Sequence, residues 1–309
     1  MLFVGRRWNE AHTPGVLEPM ARLRILHETR YYYDNPVSFG PQRLLLRPRD
    51  SHALRIVEAS MTLFPPGETR WSYDANGNCV CLFQPQEQAD AMRVASVLVI
   101  DRYPAPLVPQ RVANPHTLTP IVYSREDRAT LEPFIAPVTD DPDAVLLTWL
   151  RGLSGKRDEP ALDFLLRVNA LIHKQFEYEA RYEEGVQTPA DTILKRRGAC
   201  RDLAWLMVEG LRRLGYAAMF ASGYIYSNGS VRGAGATHAW CEVFLPDLGW
   251  IELDPTNGLA ESPDLIRVAT TRTPTQAQPV SGAIRGDPGR ARLHVSVDVQ
   301  LVDAFCEAA

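Results

Sequence analysis

Cys200, His238 and Asp254 are the residues whose types and spacing point to chemistry. Cys200 follows Gly198 and Ala199 and opens the run RDLAWLMVEGLRRLG, in which Leu203, Leu206, Met207, Leu211 and Leu214 recur at three- and four-residue steps. That periodicity predicts an amphipathic helix, with Gly198 breaking the chain before it and Gly215 stopping it. A thiol at a helix start meets the positive end of the helix dipole and unpaired backbone N–H groups, and both favour the thiolate. A cysteine nucleophile needs a base, and the base needs an acceptor that orients it. His238 lies in the strand-like stretch THAWCEVFLP, and Asp254 ends the next one, GWIELDP. The turn Pro246-Asp-Leu-Gly249 joins them as a hairpin, whose strands would run about 5 Å apart. A sheet laid against the Cys200 helix would then bring thiol, imidazole and carboxylate together.

The elements that must hold these residues read as two blocks. From Leu23 the texture is β: LRILHETRYYY, QRLLLRP, ALRIVEASMTLFP, RWSYDANGNCVCLFQ and MRVASVLVIDRY are short strand-like runs, and Asp74-Ala-Asn-Gly77-Asn is a hairpin turn. They predict an antiparallel β-sandwich over residues 22–105. Residues 1–21 read as an extension in which Met20 is a candidate start, and 106–142 as a proline-rich linker and connecting segment. Residues 143–309 carry helical patterns first (AVLLTWLRGL, ALDFLLRVNALIHKQF, TILKRR, the Cys200 run) and then strands. This is an α+β order. The stretch 270–292 reads as irregular, and LHVSVDVQLV as a last strand expected to complete the sheet that bears His238 and Asp254.

Composition sets outer limits. The chain has 309 residues, 45% hydrophobic and 23% charged, the make-up of an ordinary globular protein with room for two modest domains. A net charge of −4 without a basic block argues against a nucleic-acid partner. The sequence has no membrane-length apolar run, and its start lacks the pattern of a signal peptide. Five cysteines without a regular framework suit reduced thiols, so the expected location is the cytoplasm. The oligomeric state is not legible.

The blocks RRGACRDLAWLMVEGLRRLGYAAMFASGYIY and THAWCEVFLPDLGWIELDPTNG resemble the core of the bacterial transglutaminase-like superfamily. LRILHETRYYYDNPVSFGPQRLLLRPRD resembles that family's bacterial N-terminal β domain, so the likeness covers about 23–303. The resemblance implies a papain-like triad carried over onto Cys200, His238 and Asp254. It also implies acyl transfer at a peptide or protein amide through a thioester. With water as acceptor the protein is a peptidase or amidase, the expectation here. With an amine it is a cross-linking transglutaminase, and a degenerate cleft would leave a peptide-binding module. Many relatives carry Gly-Arg-Asp-Tyr after the triad, where this chain has Thr271-Arg272-Thr273-Pro274. No acidic run has EF-hand spacing, and the expectation is metal-independent chemistry without a cofactor.

Each residue also has a plainer reading. Cys200 alone could be a small buried thiol, His238 a core histidine, and Asp254 the initiator of the Asp-Pro-Thr-Asn turn. Asp202 suits dipole stabilisation at the helix start. Trp205 and Trp240 are candidates for lining the cleft, although large aromatics more often pack. Tyr178 is a candidate for bordering the site or supporting an oxyanion. Cys241 falls on the opposite strand face from His238. Cys79 and Cys81 share one face but lack partners for zinc. Lys195, Arg196 and Arg197 read as a solvated helix end.

Overall fold

The computed structural model describes residues 21–103, 117–153, 158–181, 183–227, 231–233 and 235–302. Met20, most of the proline-rich linker and Cys306 lie outside the described residues. Five strands come first: β1 (Ala21–Leu44), β2 (Leu54–Phe64), β3 (Gly67–Tyr73), β4 (Cys79–Pro85) and β5 (Ala89–Arg102). Helices α1 (Arg125–Ile135), α2 (Val145–Gly152) and α3 (Ala161–Gln175) follow, then β6 (Glu177–Tyr178), α4 (Pro189–Lys195), β7 (Arg197–Gly198) and α5 (Cys200–Arg213). The chain continues through β8 (Ala218–Ile225), β9 (His238–Leu245), β10 (Gly249–Asp254), β11 (Leu259–Ala260) and β12 (Leu265–Thr271). It closes with a 3-10 turn (Pro274–Ala277), β13 (Val280–Arg285) and β14 (Ala291–Val302). The fold is α+β: an antiparallel β domain beside a core of helices and one antiparallel sheet.

In the β domain, LRILHETRYYY and QRLLLRP belong to one 24-residue strand rather than two. Its first half, Ala21–Tyr32, pairs with β5, and Arg22–Tyr33 pairs with β14 on the other side. Its second half pairs with β4 and β13. One long strand thus serves both layers, and the side chains between them (Leu44, Cys81, Phe83 and Val94, with Met61 and Leu63) form an apolar filling.

Two expectations are corrected here. LHVSVDVQLV does not complete the core sheet, because β14 pairs with β1 over twelve residues. The stretch 270–292 is not irregular throughout, because it contains β13. Alternating patterns reveal a strand but not its partner, and β14 has two candidate sheets to join. Helix α1, within the segment expected to be a connection, is capped by Ser124, whose Oγ accepts from Asp127 N at 3.0 Å.

The core sheet runs in the order β11-β10-β9-β8-β12, and α5 lies across it. The apolar stripe of α5 packs on β8 and β9 with Phe164, Leu165, Val168 and Ile172 of α3. Burial extends beyond that stripe, since Glu209 and Arg212 are also enclosed. Glu209 accepts from the amides of Val138 (3.1 Å) and Thr139 (2.8 Å), from Thr139 Oγ1 (2.6 Å), and from Arg212 Nη1 (3.1 Å). Arg212 spends its other N–H groups on the carbonyls of Ala218 and Arg272. Buried charges are tolerated when every donor and acceptor is matched in this way.

The β domain docks on β8 and β12. Leu23, Ile25, Leu54, Leu98, Ile100 and Val297 pack against Tyr224, Ile266 and Val268. His27 Nδ1 lies 2.9 Å from Tyr224 Oη inside that contact. The hairpin turn at Asp74–Asn78 also reaches the core, because Asn78 exchanges two hydrogen bonds with the backbone of Thr270 at 2.8 and 2.9 Å. Its amide behaves like one residue of an added strand and blunts the outer edge of β12.

Removing one member of the enclosed ion pair tests how far α5 depends on it. Glu209→Ala is expected to destabilise the protein by about 3–5 kcal/mol, the usual cost of stranding a buried charge. Urea unfolding measures it, and a loss below about 1 kcal/mol would contradict the account.

Candidate active site

The start of α5 is built by a carboxylate. Asp202, at the third helical position, turns back so that Oδ2 accepts from Ala199 N at 2.9 Å. Oδ1 takes Gln187 N at 2.8 Å, and Arg181 Nη1 lies 2.7 Å from both oxygens. Burial would raise its pKa, but Arg181 and the two amides outweigh burial and hold the carboxyl below its ordinary range. This fold-back requires Gly198, where a Cβ would lie 2.8 Å from that of Asp202. Arg201 faces outward and gathers the same segment, donating to the carbonyls of Gly185, Glu183 and Arg181. Cys200, 8% exposed, is therefore held on a fixed helix end with Arg181 and residues 183–187 gathered by its neighbours Arg201 and Asp202.

His238 opens β9 and Asp254 ends β10, so the hairpin brings them to one end of the sheet. His238 Nε2 lies 2.8 Å from Asp254 Oδ2, and both side chains are fully buried. Asp254 Oδ1 accepts from Thr256 N at 2.9 Å, and Oδ2 from Asn257 Nδ2 at 2.9 Å. Helix α3 holds this turn from outside: His173 Nδ1 lies 2.9 Å from Thr256 O, and Asn169 Nδ2 donates to Leu259 O at 2.9 Å. Trp240, fully buried, stacks on the imidazole with ring centres 6.1 Å apart.

The electrostatics join the three groups. Burial lowers the pKa of an imidazole, but the charge and hydrogen bond of Asp254, with the neighbouring Cys200 side chain, reverse this and raise His238 to about 10. Asp254 is lowered despite its burial, chiefly by His238. Since Nε2 is engaged by Asp254, Nδ1 is the nitrogen left for Cys200. Nδ1 is buried and makes no formal hydrogen bond. Loose contacts of this kind are common before a substrate closes a site.

Gly233 forms a wall at that nitrogen. At φ +87° it sits where an added Cβ would be 3.1 Å from His238 Nδ1 and 3.8 Å from Tyr178 Oη. Tyr178 therefore borders the site, carried there by β6, which pairs with β7 so that Tyr178 lies opposite Gly198. Gly235, two residues on, accepts a hydrogen bond from Val297 N of the β domain at 3.0 Å.

The remaining candidates fall elsewhere. Trp205 does not line the cleft: at 3% exposure it packs edge-on against Phe220 and beneath the Arg212 guanidinium. Trp240 supports the imidazole from within the core rather than facing a cleft. Cys241 is enclosed on the α5 side of β9, and burial pushes its thiol well up. Cys79 and Cys81 are unbridged, and no metal-binding group of side chains occurs among the described residues. Arg197 pairs with Glu179 at 3.1 Å, and Arg196 Nη2 reaches Gln175 O at 3.5 Å. The Thr271–Pro274 segment ends β12 in a structural turn, with Arg272 Nε donating to Pro133 O at 2.8 Å. Sequence reasoning missed Asn257, Gly233 and Arg181, and the one signal among them is the Asn in Asp-Pro-Thr-Asn.

Two outcomes follow from this geometry. His238 has a folded pKa raised above its ordinary 6.5, so its stabilising contribution is complete below pH 6.5 and is lost as pH rises through about 10. The stability difference between wild type and His238→Gln should therefore shrink across that window in urea titrations, and a constant difference would contradict the ion pair. Gly233→Ala should cost about 1–2 kcal/mol of backbone strain and slow iodoacetamide modification of Cys200. Gly235→Ala is the control, since its φ is also positive (+82°) but nothing lies within 4 Å of the added Cβ. Equal effects of the two substitutions on Cys200 would argue against a wall at Nδ1.

Comparison with known proteins bears on the family and the fold. Residues 23–101 match the bacterial transglutaminase-like N-terminal region, and residues 148–255 match the transglutaminase-like superfamily. An uncharacterised protein of Mycobacterium tuberculosis is 30% identical over 297 residues, covering 90% of this chain and 92% of its own. An uncharacterised protein of Mycobacterium leprae is 23% identical over 284 residues, covering 91% of this chain and 99% of its own. A crystal structure from Cytophaga hutchinsonii, named "Putative Cysteine Protease", shares the fold with a TM-score of 0.69 at 20% identity, over 92% of this chain and 91% of that one. Matched in both regions, and by a relative along nearly its whole length, the chain belongs to the transglutaminase-like superfamily.

Proposed function

We propose that the protein is a cysteine hydrolase that cleaves amide bonds of peptides or proteins through a Cys200 thioester. The observation that carries this reading is the fully buried His238, bonded at Nε2 to Asp254 and turned by its other nitrogen toward Cys200. Asp254 holds the Nε2–H tautomer and stabilises the imidazolium, which leaves Nδ1 to exchange a proton with sulfur. The sulfur adds to the amide carbonyl carbon while the carbonyl oxygen gathers negative charge. Backbone N–H groups at the start of α5, that of Cys200 included, serve as its donors in this reading. The C–N bond then breaks as His238 gives its proton to the departing nitrogen, leaving a thioester. Water next adds to the thioester carbon and gives a proton to Nδ1, and the thiolate leaves, releasing the carboxylic acid.

Water as acceptor is the preferred reading over an amine. A glutamine-containing peptide and a labelled amine, offered together, distinguish the two: ammonia without label in the peptide supports hydrolysis, and label in the peptide supports cross-linking. Neither product, with Cys200 no more reactive to iodoacetamide than Cys241, would favour a peptide-binding module. Cys200→Ala is expected to abolish turnover while the protein stays folded. His238→Ala should lower the rate by about 10²–10⁴-fold, the usual worth of a positioned acid–base group. Asp254→Asn should retain part of the activity, and full activity in that variant would contradict its role.

A further inference from the structure

Asn257 makes three hydrogen bonds from one side-chain amide. Nδ2 donates to Asp254 Oδ2 at 2.9 Å, the same oxygen that lies 2.8 Å from His238 Nε2. Nδ2 also donates to Arg232 O at 3.3 Å, and Oδ1 accepts from Arg232 N at 2.9 Å. The orientation of the amide is determined by these partners. A flipped group would set oxygen against both the Asp254 carboxylate and the Arg232 carbonyl, and would turn a donor toward the Arg232 N–H.

The bonds join two parts of the site that are far apart in sequence. Arg232 immediately precedes Gly233, which lies against His238 Nδ1. One amide therefore touches the acid behind Nε2 and fixes the backbone in front of Nδ1. The turn itself does not need this side chain, because Asp254 Oδ1 already binds the amides of Thr256 at 2.9 Å and Asn257 at 3.4 Å. Nor does Arg232 contribute its charge to the tie: its backbone makes the bonds, while its guanidinium reaches Thr256 O at 3.5 Å.

We infer that Asn257 is a positioning residue, which fixes the His238–Asp254 pair and the Gly233 backbone as one unit around the imidazole. The inference rests on the cysteine-hydrolase reading of the same site. The side-chain hydrogen bonds of Asn257 go to Asp254 and to the backbone of Arg232, so it acts through the imidazole that these flank. The charged and titratable groups around that imidazole are Asp254 on β10, Cys200 on α5, Tyr178 on β6 and Arg232 in the segment before β9. His173 on α3 meets the turn from the other side.

The full-length protein, labelled with 15N-histidine, supplies a test that needs no substrate. In wild type the His238 Nε2–H proton should give a sharp downfield resonance. Asn257→Ala should move it upfield or broaden it, and should slow iodoacetamide modification of Cys200 at pH 7 by about tenfold, less than the ~10²-fold that a 1 Å misplacement can bring. Should Asn257→Ala fail to fold, Asn257→Ser carries the same test, because it adds no charge beside Asp254 and is too short to bridge Asp254 and the Arg232 backbone together. A resonance and a modification rate like those of wild type in a folded variant would overturn the inference. Failure of the hydrolase reading is distinguishable: wild-type Cys200 would then react no faster than Cys200 in His238→Ala.

Discussion

Helix α5 is enclosed on nearly every side, so each polar side chain within it must find its partners inside the protein. Much of the core's arrangement follows from that constraint. Asp202 gathers Arg181, Gln187 and Ala199 around the first turn, and this places Cys200. About two and three turns further on, Glu209 and Arg212 bind each other and draw in Val138, Thr139, Ala218 and Arg272. A helix of the same apolar stripe with a solvated polar face would leave these segments without a reason to converge on it.

The site combines two buried carboxylates with separate tasks. Asp202 binds a guanidinium and backbone amides, so its role is to build the chain around the cysteine. Asp254 faces an imidazole and keeps it charged in a setting that would otherwise discharge it. Neither carboxylate is exposed, so solvent screens these interactions little. Trp240 adds a flat support beneath the ring, and Gly233 limits the space in front of it. The imidazole is thus constrained by hydrogen bonding on one edge, by stacking on one face, and by backbone at Nδ1.

Part of this was legible from residue types alone. The stripe of α5, the hairpin that carries His238 and Asp254, and the β texture from Leu23 to Arg102 all rest on local periodicity, which the structure follows. The unread part depended on distant partners. Whether β14 joins one sheet or the other is decided by pairing with β1, some 270 residues earlier. Trp205 sits on the same helix as Cys200, yet its direction places it under Arg212. Asn257 and Arg232 meet through side-chain and backbone atoms that carry no periodic signal. The burial of Glu209 and Arg212 carries no local signal, because a sequence does not show that residues 138–139 will cover them.

The pairing of β1 with β14 has a consequence for how the protein is made. The β domain is composed of the first five strands and the last two, and the whole core is threaded between them as an insertion. On the ribosome β1 emerges well before β14, a neighbour synthesised some 270 residues later. The core, contiguous from α1 to β12, can settle before that partner arrives. The separation between the two strands gives the β domain a high contact order, which slows its closure relative to the insertion it surrounds. The same topology forbids a simple truncation: cutting the chain after β12 removes two strands from a domain that lies at the opposite end of the sequence.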